Sequence, residues 1–179
     1  ANHLLWTVTD PEAGTTPTMY TYDGAANIQT INHNGVATET RSYDTDERLS
    51  GISYSTGDPA VSYGWYSNGL LHVATRGNTT RTLGYDADRR LTSETIAIGG
   101  TNYTLGYGHD QYGNPTSETY PDNTFASFYP DYFGRPTEID RYATNISYYA
   151  NGAVDQFTYG NNTYHTSNLD NRQLPTLSR

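Results

Sequence analysis

The chain of 179 residues contains no cysteine, which excludes a disulfide framework and a thiolate metal site. It also has no apolar run near the roughly 20 residues that a membrane-spanning helix needs. Lysine is absent and the formal net charge is −9, so we expect no nucleic-acid partner. A phosphate-binding loop, a dinucleotide-binding fingerprint and a Gly-x-Ser-x-Gly nucleophile elbow are also missing. We therefore predict no catalytic residue and no cofactor.

Metal-binding patterns are also lacking. The five histidines form no His-x-x-x-His or His-Glu pair, and they are His3, His33, His72, His109 and His165. Asp-rich segments such as Asp44-Thr45-Asp46 lack the glycine and the terminal glutamate of a twelve-residue calcium loop. The sequence therefore predicts no metal ion, and turn chemistry accounts for the aspartates.

What the chain does contain is an internal repeat with a period near 21 residues. Each copy has a tyrosine or another residue in its place, then an Asp-rich tetrad and a polar-apolar pair. We number each copy from that residue as position 0. These positions are Tyr22, Tyr43, Trp65, Tyr85, His109, Pro130, Tyr148 and Leu169. A fixed period over eight copies is typical of a repeat architecture.

Two turn signals occur in every copy. The first follows position 0 and often begins with an aspartate, as at Asp23, Asp44 and Asp86. Its fourth residue is glycine at Gly69, Gly113, Gly134 and Gly152, and it is Ala26, Glu47, Arg89 or Gln173 in the other copies. This predicts a hairpin with a type I turn followed by a left-handed residue. Turns without the glycine must either carry strain or adopt another geometry.

The second turn signal lies twelve to fourteen residues after position 0, for example at Asn34-Gly35 and Gly99-Gly100. Two turns per 21 residues leave two strands of about 7 residues each. Positions −2, 0 and +6 share parity, which places them on one face of a strand, although across the turn parity is a weaker guide. We predict an all-β fold, an antiparallel meander of about 15–16 strands in hairpin repeats of about 21 residues. It curves or spirals into an open shell segment or a narrow barrel.

The repeats predict a single array over residues 1–179. A partial repeat covers residues 1–19 and includes a turn at residues 10–14. Repeats then lie near 20–40, 41–62, 63–82, 83–106, 107–127, 128–145, 146–166 and 167–179. Neither end carries the polar cap that repeat arrays need, so we expect a fragment of a longer array.

These motifs resemble the YD repeat of Rhs proteins, teneurins and the shell-forming subunits of insecticidal toxin complexes. Three segments carry the resemblance best. They are Tyr43-Asp44-Thr45-Asp46-Glu47-Arg48-Leu49, Tyr85-Asp86-Ala87-Asp88-Arg89-Arg90-Leu91-Thr92 and Phe133-Gly134-Arg135-Pro136-Thr137. The match covers nearly the whole chain. The resemblance implies that Tyr22, Asp23, Tyr43, Asp44, Trp65, Gly69, Tyr85, Asp86, Gly113, Gly134, Tyr148 and Gly152 are structural residues of the repeat.

The resemblance also implies a β-sheet ribbon that forms a hollow shell, in a secreted or surface protein. Some members of the family enclose a toxic C-terminal domain. The partners implied are therefore neighbouring repeats of a parent protein and an encapsulated toxin domain. The Rhs-associated core, with its paired Asp-Pro motif and self-cleaving aspartates, is missing, so self-cleavage belongs only to a parent protein. The expected function is a non-enzymatic shell segment.

Two other functions stay open on the sequence. Gly64-Trp65-Tyr66-Ser67-Asn68-Gly69 is similar to choline-binding and glucan-binding repeats, so Trp65 and Tyr66 are candidates for stacking on a glycan. A hydrolase or self-cleaving protease is the third hypothesis. An open ribbon also leaves unpaired strand edges, which predicts a homodimer formed through those edges.

Overall fold

The computed structural model describes residues 4–9 and 16–178, which form β-strands joined by short turns. The strands are β1 (Thr7–Val8), β2 (Thr18–Tyr22), β3 (Ile28–His33), β4 (Ala37–Tyr43), β5 (Leu49–Tyr54), β6 (Val61–Trp65), β7 (Leu71–Arg76), β8 (Thr79–Tyr85), β9 (Leu91–Ile98), β10 (Thr101–His109), β11 (Pro115–Thr119), β12 (Phe125–Pro130), β13 (Pro136–Ile139), β14 (Ala143–Tyr148), β15 (Val154–Tyr159), β16 (Tyr164–Leu169) and β17 (Pro175–Ser178). The fold of the described residues is all-β, with 17 strands and antiparallel pairing. This confirms the predicted fold class. The first strand, β1, lies in the partial repeat. The turn predicted at 10–14 and His3 lie outside the described residues.

Contacts divide the chain into two compact units. The first is drawn from Ala1–Leu83 and Thr95–Asn102, and within it consecutive strands pair antiparallel from β1 to β8. The second is drawn from Gly84–Glu94 and Tyr103–Arg179, and within it consecutive strands pair from β10 to β17. Each unit is therefore a meander, as the turn spacing predicts.

Position 0 coincides with a strand end in every copy. All eight position-0 residues end an even-numbered strand, and the residue at +6 begins the next odd-numbered strand. Seven of these pairs are recorded as directly opposite one another, for example Tyr22 and Ile28, or Tyr43 and Leu49. Because opposed residues of an antiparallel pair lie on the same face, the parity argument for positions 0 and +6 also holds across the turn.

A β-bulge follows the turn in the same seven hairpins. The pairing register shifts by one residue between positions −1 and 0 in nearly all of them, as between Thr21 and Tyr22, so the odd strand carries an extra residue. Such bulges increase strand twist locally and bring two side chains of the bulged strand opposite one residue of its partner.

The sheet buries very little. Among the described residues, the buried hydrophobic side chains are Ile31, Leu83, Ala126 and Ala143, and no polar or charged side chain is buried. No described large side chain is fully buried either. The stability of each unit must therefore come from backbone ladders and cross-strand pairs rather than from a thick apolar core. Among the described residues no helix has the length and apolar character for crossing a bilayer.

Candidate functional site

The most regular feature of the chain is the turn that follows position 0, because its backbone has the same geometry in all eight copies. The N–H at +1 donates to the carbonyl at +5 over 2.8–3.0 Å, and the N–H at +4 donates to the carbonyl at +1 over 2.8–3.1 Å. Every +4 residue has a positive φ, between +61° and +89°. The type I turn with a left-handed residue is therefore present even in the copies that lack glycine, namely at Ala26, Glu47, Arg89 and Gln173.

The aspartate at +1 hydrogen-bonds to its own turn. In Asp44, Oδ1 accepts the N–H groups of Asp46 at 2.9 Å and of Arg48 at 3.0 Å. Its Oδ2 accepts Arg48 Nε at 2.8 Å. The same arrangement, with an Arg or Asn side chain at +5, occurs at Asp23, Asp86, Asp110 and Asp131. The aspartate thus satisfies backbone donors that the turn would otherwise leave exposed.

Arginine at +5 also connects one turn to the next. Arg48 Nη1 donates to the carbonyl of Tyr66 at 3.0 Å, and Arg90 Nη1 donates to the carbonyl of Asp110 at 2.7 Å. Both carbonyls belong to the +1 residue of the following copy. Because a guanidinium has several donors in a fixed plane, one side chain can bind the aspartate of its own turn and the backbone of the next.

The turn aspartates have lowered pKa values. For Asp44 and Asp86 the main cause is a backbone hydrogen bond from the residue at +5, and the guanidinium of that residue adds to it. For Asp110 and Asp131 the side chain at +5 is the first cause that lowers the pKa. Hydrogen bonds to the ionised carboxylate favour the charged form, so these groups are stable as acceptors and poorly suited to proton transfer at neutral pH.

The aromatic residue at position 0 donates a hydrogen bond to a backbone carbonyl earlier in the chain. The hydroxyl groups of Tyr22, Tyr43 and Tyr148 donate to the carbonyls of Leu5, Ile28 and Pro136 at 2.7, 2.8 and 2.7 Å. In the aberrant third copy, Trp65 Nε1 donates to the carbonyl of Leu49 at 2.8 Å. Except for Leu5, these carbonyls belong to the +6 residue of the copy before. Trp65 thus makes the same type of contact as the tyrosines.

Two copies carry tyrosine instead of aspartate at +1, and these tyrosines reach forward. Tyr66 donates its hydroxyl to the carbonyl of Leu83 at 3.2 Å, and Tyr149 donates to that of Ser167 at 2.7 Å. The asparagine at +3 takes over the role of the missing aspartate, as Asn68 Oδ1 accepts the N–H of Leu70 at 3.1 Å. The turn keeps its geometry because a side chain at either +1 or +3 can accept hydrogen bonds from backbone N–H groups.

The proposed glycan-stacking pair, Trp65 and Tyr66, is half-buried. The Trp65 ring lies 6.0 Å from the Arg48 guanidinium, and the Tyr66 ring is 4.3 Å from the ring of His72. Their polar atoms donate to backbone carbonyls. Glycan binding by these two residues stays a prediction.

An open cavity of about 400 Å³ lies in the second unit, between β10 and β13. Its apolar lining includes Tyr107, Phe128 and Pro136, and Glu118 also borders it. His109 also lines it, and its Nδ1 is the one buried side-chain polar atom without a hydrogen-bond partner among the described residues. The sequence pattern places His109 at a position 0 and outside any metal motif, and it does not reveal this cavity. No group of three or more possible metal ligands occurs in the part of the chain that the structure describes.

No protein-family model matches the chain, and no curated protein matches it. Solved structures are similar in fold. The crystal structure of TcdB2-TccC3-TEV has a TM-score of 0.79 at 13% identity, over 97% of this chain and 10% of that chain. TcdB2-TccC3 gives 0.77 at 13% identity, over 89% of this chain and 10% of that one.

A further similar structure is the Tc holotoxin pore of Photorhabdus luminescens with the TccC3-D651A mutation. Its TM-score is 0.53 at 16% identity, over 92% of this chain and 11% of that one. At these identities the likeness concerns the fold alone. This chain spans about a tenth of the length of the chains that it matches.

Proposed function

We propose that this chain is a structural, non-enzymatic segment of a YD-repeat β-shell. Such a shell encloses or displays another polypeptide in a secreted or surface toxin or adhesion protein. The observation that carries the proposal is the repeated turn, identical in its backbone in all eight copies. The similarity of 97% of the chain to one TcdB2-TccC3 structure supports it.

The side chains of the repeat suit a structural role in a β-sheet shell rather than catalysis. Asp44 and Arg48 are typical, because the aspartate accepts from its own turn while the arginine ties that turn to the following one. These groups hold one hairpin beside the next. Their hydrogen bonds and lowered carboxyl pKa values favour permanent ion pairs over the changing protonation that catalysis needs.

The partner of such a wall is a polypeptide domain of the same parent protein, enclosed or displayed by it. Neighbouring repeats of that parent are the other expected contact. The sequence prediction of a homodimer through strand edges stays a prediction, and light scattering at high concentration tests it.

The test uses the longest natural protein that contains this sequence. We expect cryo-electron microscopy to show this chain as part of a continuous β-wall around a second polypeptide. Limited proteolysis should cut that polypeptide only after the wall is denatured. An array that does not surround the second polypeptide, and leaves it accessible to protease in the native state, would contradict the proposal.

The hydrolase hypothesis has a separate test. We expect the purified chain to keep its intact mass on prolonged incubation and to hydrolyse no generic ester, peptide or glycoside substrate. Time-dependent cleavage at a defined bond would revive the hypothesis of a self-cleaving protein.

A further inference from the structure

Three aromatic side chains on the turns of the fifth and sixth copies are highly exposed. Tyr112, Tyr132 and Phe133 occupy positions +3, +2 and +3, and their exposed fractions are 81%, 96% and 75%. The other six copies carry only small or polar residues at +2 and +3, for example Ala87 and Asn68. Because the same turn forms in those copies, its geometry does not require an aromatic ring. Exposed aromatic groups without a role in folding indicate a binding site.

The three rings border one open cavity of about 510 Å³ in the second unit. The turns of the two copies touch each other there, since a Cβ at Gly134 would clash with the side chain of Asn114. The rings of Tyr132 and Phe133 stand nearly perpendicular, at 85°, with their centroids 5.6 Å apart. The rest of the lining is formed by Asp110, Asn114, Pro130 and Asp131.

The two carboxylates of the cavity already have partners within their own turns. Asp131 Oδ2 lies 2.6 Å from Arg135 Nη2, which forms an ion pair. Asp110 accepts the backbone N–H groups of Tyr112 and Asn114 at 2.8 and 2.9 Å, and its Oδ2 accepts the Asn114 amide at 2.9 Å. Ionised carboxylates have about four acceptor sites, so both can still accept a hydrogen bond from a ligand.

This set of groups favours a neutral sugar over other ligands. An anion would meet two carboxylates, and a cation would find Arg135 already bound to Asp131. A proline-rich peptide presents carbonyl acceptors but lacks the backbone donors that carboxylates need. A sugar ring with equatorial hydroxyl groups has C–H groups on both faces, which match the exposed aromatic rings, and hydroxyl donors around its edge, which match the carboxylates.

We propose that this cavity binds a neutral glycan of β-linked glucose or N-acetylglucosamine units. Tyr112 and Tyr132 stack on faces of the sugar rings, and Asp110 and Asp131 accept hydrogen bonds from sugar hydroxyl groups. The volume falls within the usual range of small-ligand sites. This inference goes beyond the proposed shell function and does not depend on it.

The location differs from the one that the sequence suggests. Trp65 and Tyr66 are half-buried, and their polar atoms donate to backbone carbonyls. The rings of the fifth and sixth copies are instead exposed at the turns, where a glycan chain has access.

The first experiment titrates the isotope-labelled chain with the β-1,4-linked hexamers of glucose and of N-acetylglucosamine and follows amide chemical shifts. We expect at least one hexamer to cause saturable shifts at Tyr112, Tyr132 and Phe133. The hexamer of galacturonic acid should cause none, because its carboxylates would meet those of the cavity. Absence of binding by both neutral hexamers, shifts at Trp65 and Tyr66 instead, or equal binding of the acidic hexamer would each overturn the proposal.

The second experiment removes one ring. Tyr132→Ala places at +2 the residue that Ala87 provides in the fourth copy, so the turn should still form. We expect the affinity for the bound hexamer to fall about tenfold, because a stacking contact is lost. The matched control is Tyr164→Ala, which removes a tyrosine that is 70% exposed on another hairpin and should leave the affinity unchanged.

Tyr112→Asn gives a second reading that does not depend on the fold of Tyr132→Ala. It places at +3 the residue that Asn68 provides in the third copy, and we expect a loss of affinity of similar size. Unchanged affinity in both folded variants, or an equal loss in Tyr164→Ala, would show that the glycan does not bind at these rings.

A titration with decaproline tests the peptide alternative. We expect no saturable shift at the three rings, because the peptide lacks donors for Asp110 and Asp131. Shifts at these rings with decaproline would overturn the assignment to a glycan. None of these outcomes bears on whether the parent protein is a shell.

Discussion

The residue at +4 of the turn must adopt a left-handed backbone conformation in every copy. Four copies place glycine there, and Ala26, Glu47, Arg89 and Gln173 adopt the same positive φ in the others. A non-glycine residue in this region costs about 1 kcal/mol or more. The turn tolerates this cost because the neighbouring hydrogen bonds at +1 and +5 fix the backbone. The strain is thus local to the +4 residue, and the hydrogen bonds of the hairpin offset it.

Gly69→Ala measures this strain directly. Gly69 has a φ of +85°, and a Cβ there would meet nothing within 4 Å, so only the backbone conformation is affected. We expect the free energy of unfolding to fall by about 1 kcal/mol in urea denaturation.

Gly24→Ala is the matched control for Gly69→Ala. It also lies in a first-type turn with nothing within 4 Å of the added Cβ, but its φ is not positive. We expect it to be neutral or to stabilise the chain by up to about 0.5 kcal/mol, because alanine restricts the unfolded state. Equal destabilisation by both substitutions would refute the role of the left-handed conformation.

At the scale of the hairpin, a β-bulge and a ring hydrogen bond together determine how each pair of strands meets. The bulge puts two side chains of the odd strand opposite position −1, which explains why small residues such as Ser42, Gly64, Gly84 and Gly108 stand there. The ring at position 0 then ties the hairpin to the strand before it. Both features recur with the period of the repeat.

Gly108→Ala tests the bulge. A Cβ at Gly108 would clash with Ser117 Oγ and lie 2.9 Å from Thr116 Oγ1, so we expect destabilisation of about 1 kcal/mol. The control on the same strand is Gly106→Ala, whose Cβ would be 3.4 Å from Thr119 Cβ and should cost little. Ser117→Ala should recover part of the loss in the Gly108→Ala background, as a double-mutant cycle measures. No recovery would mean that the crowding is not the cause.

Tyr43→Phe tests the ring hydrogen bond. It removes the hydroxyl that donates to the carbonyl of Ile28 over 2.8 Å and leaves the ring in place. We expect a loss of about 1 kcal/mol in the free energy of unfolding. Tyr112→Phe is the control, since Tyr112 is 81% exposed and its hydroxyl has no hydrogen bond among the described residues. An unchanged midpoint for Tyr43→Phe would show that the ring alone matters.

At the scale of the whole molecule, the repeated turn aspartates add to a negative net charge. The formal net charge is −9, and a turn aspartate recurs in most copies with a lowered pKa. The carboxylates are held by backbone N–H groups and by arginine or asparagine at +5, or by Arg172 at +3 in the case of Asp170. Each contributes little alone because it is partly exposed to solvent, but the effects of several such groups add up.

Acid should therefore unfold the chain. A carboxyl whose pKa is lower in the folded state than in the unfolded state stabilises the fold above its unfolded value, near 3.8, and that stabilisation is lost as the pH falls through the folded pKa. We expect the thermal midpoint to change little from pH 7 to pH 5 and to fall steeply below about pH 4. Circular dichroism melts over this range measure it, and a midpoint that rises below pH 4 would contradict the role of the turns.

The residue pattern alone predicts the all-β class and the places where strands end. The tyrosine or its substitute at position 0 closes an even strand and the residue at +6 opens the next strand in all eight copies, because turn chemistry is local and recurs with the period. The recurrence of Asp and Arg four residues apart, as at Asp86 and Arg90, could also have revealed the ion pair within the turn.

The contacts between copies are visible only in the folded structure. Arg90 donates to the carbonyl of Asp110 and Tyr148 to that of Pro136, and each hydrogen bond joins two different copies. The cavity beside His109 is lined by residues of two copies. The geometry of all three features depends on register and bulges. A one-residue shift in pairing changes which side chains face each other, and the alternation of residues along a strand does not specify that shift. That is the physical reason why the pattern predicted the hairpins but not the contacts between them.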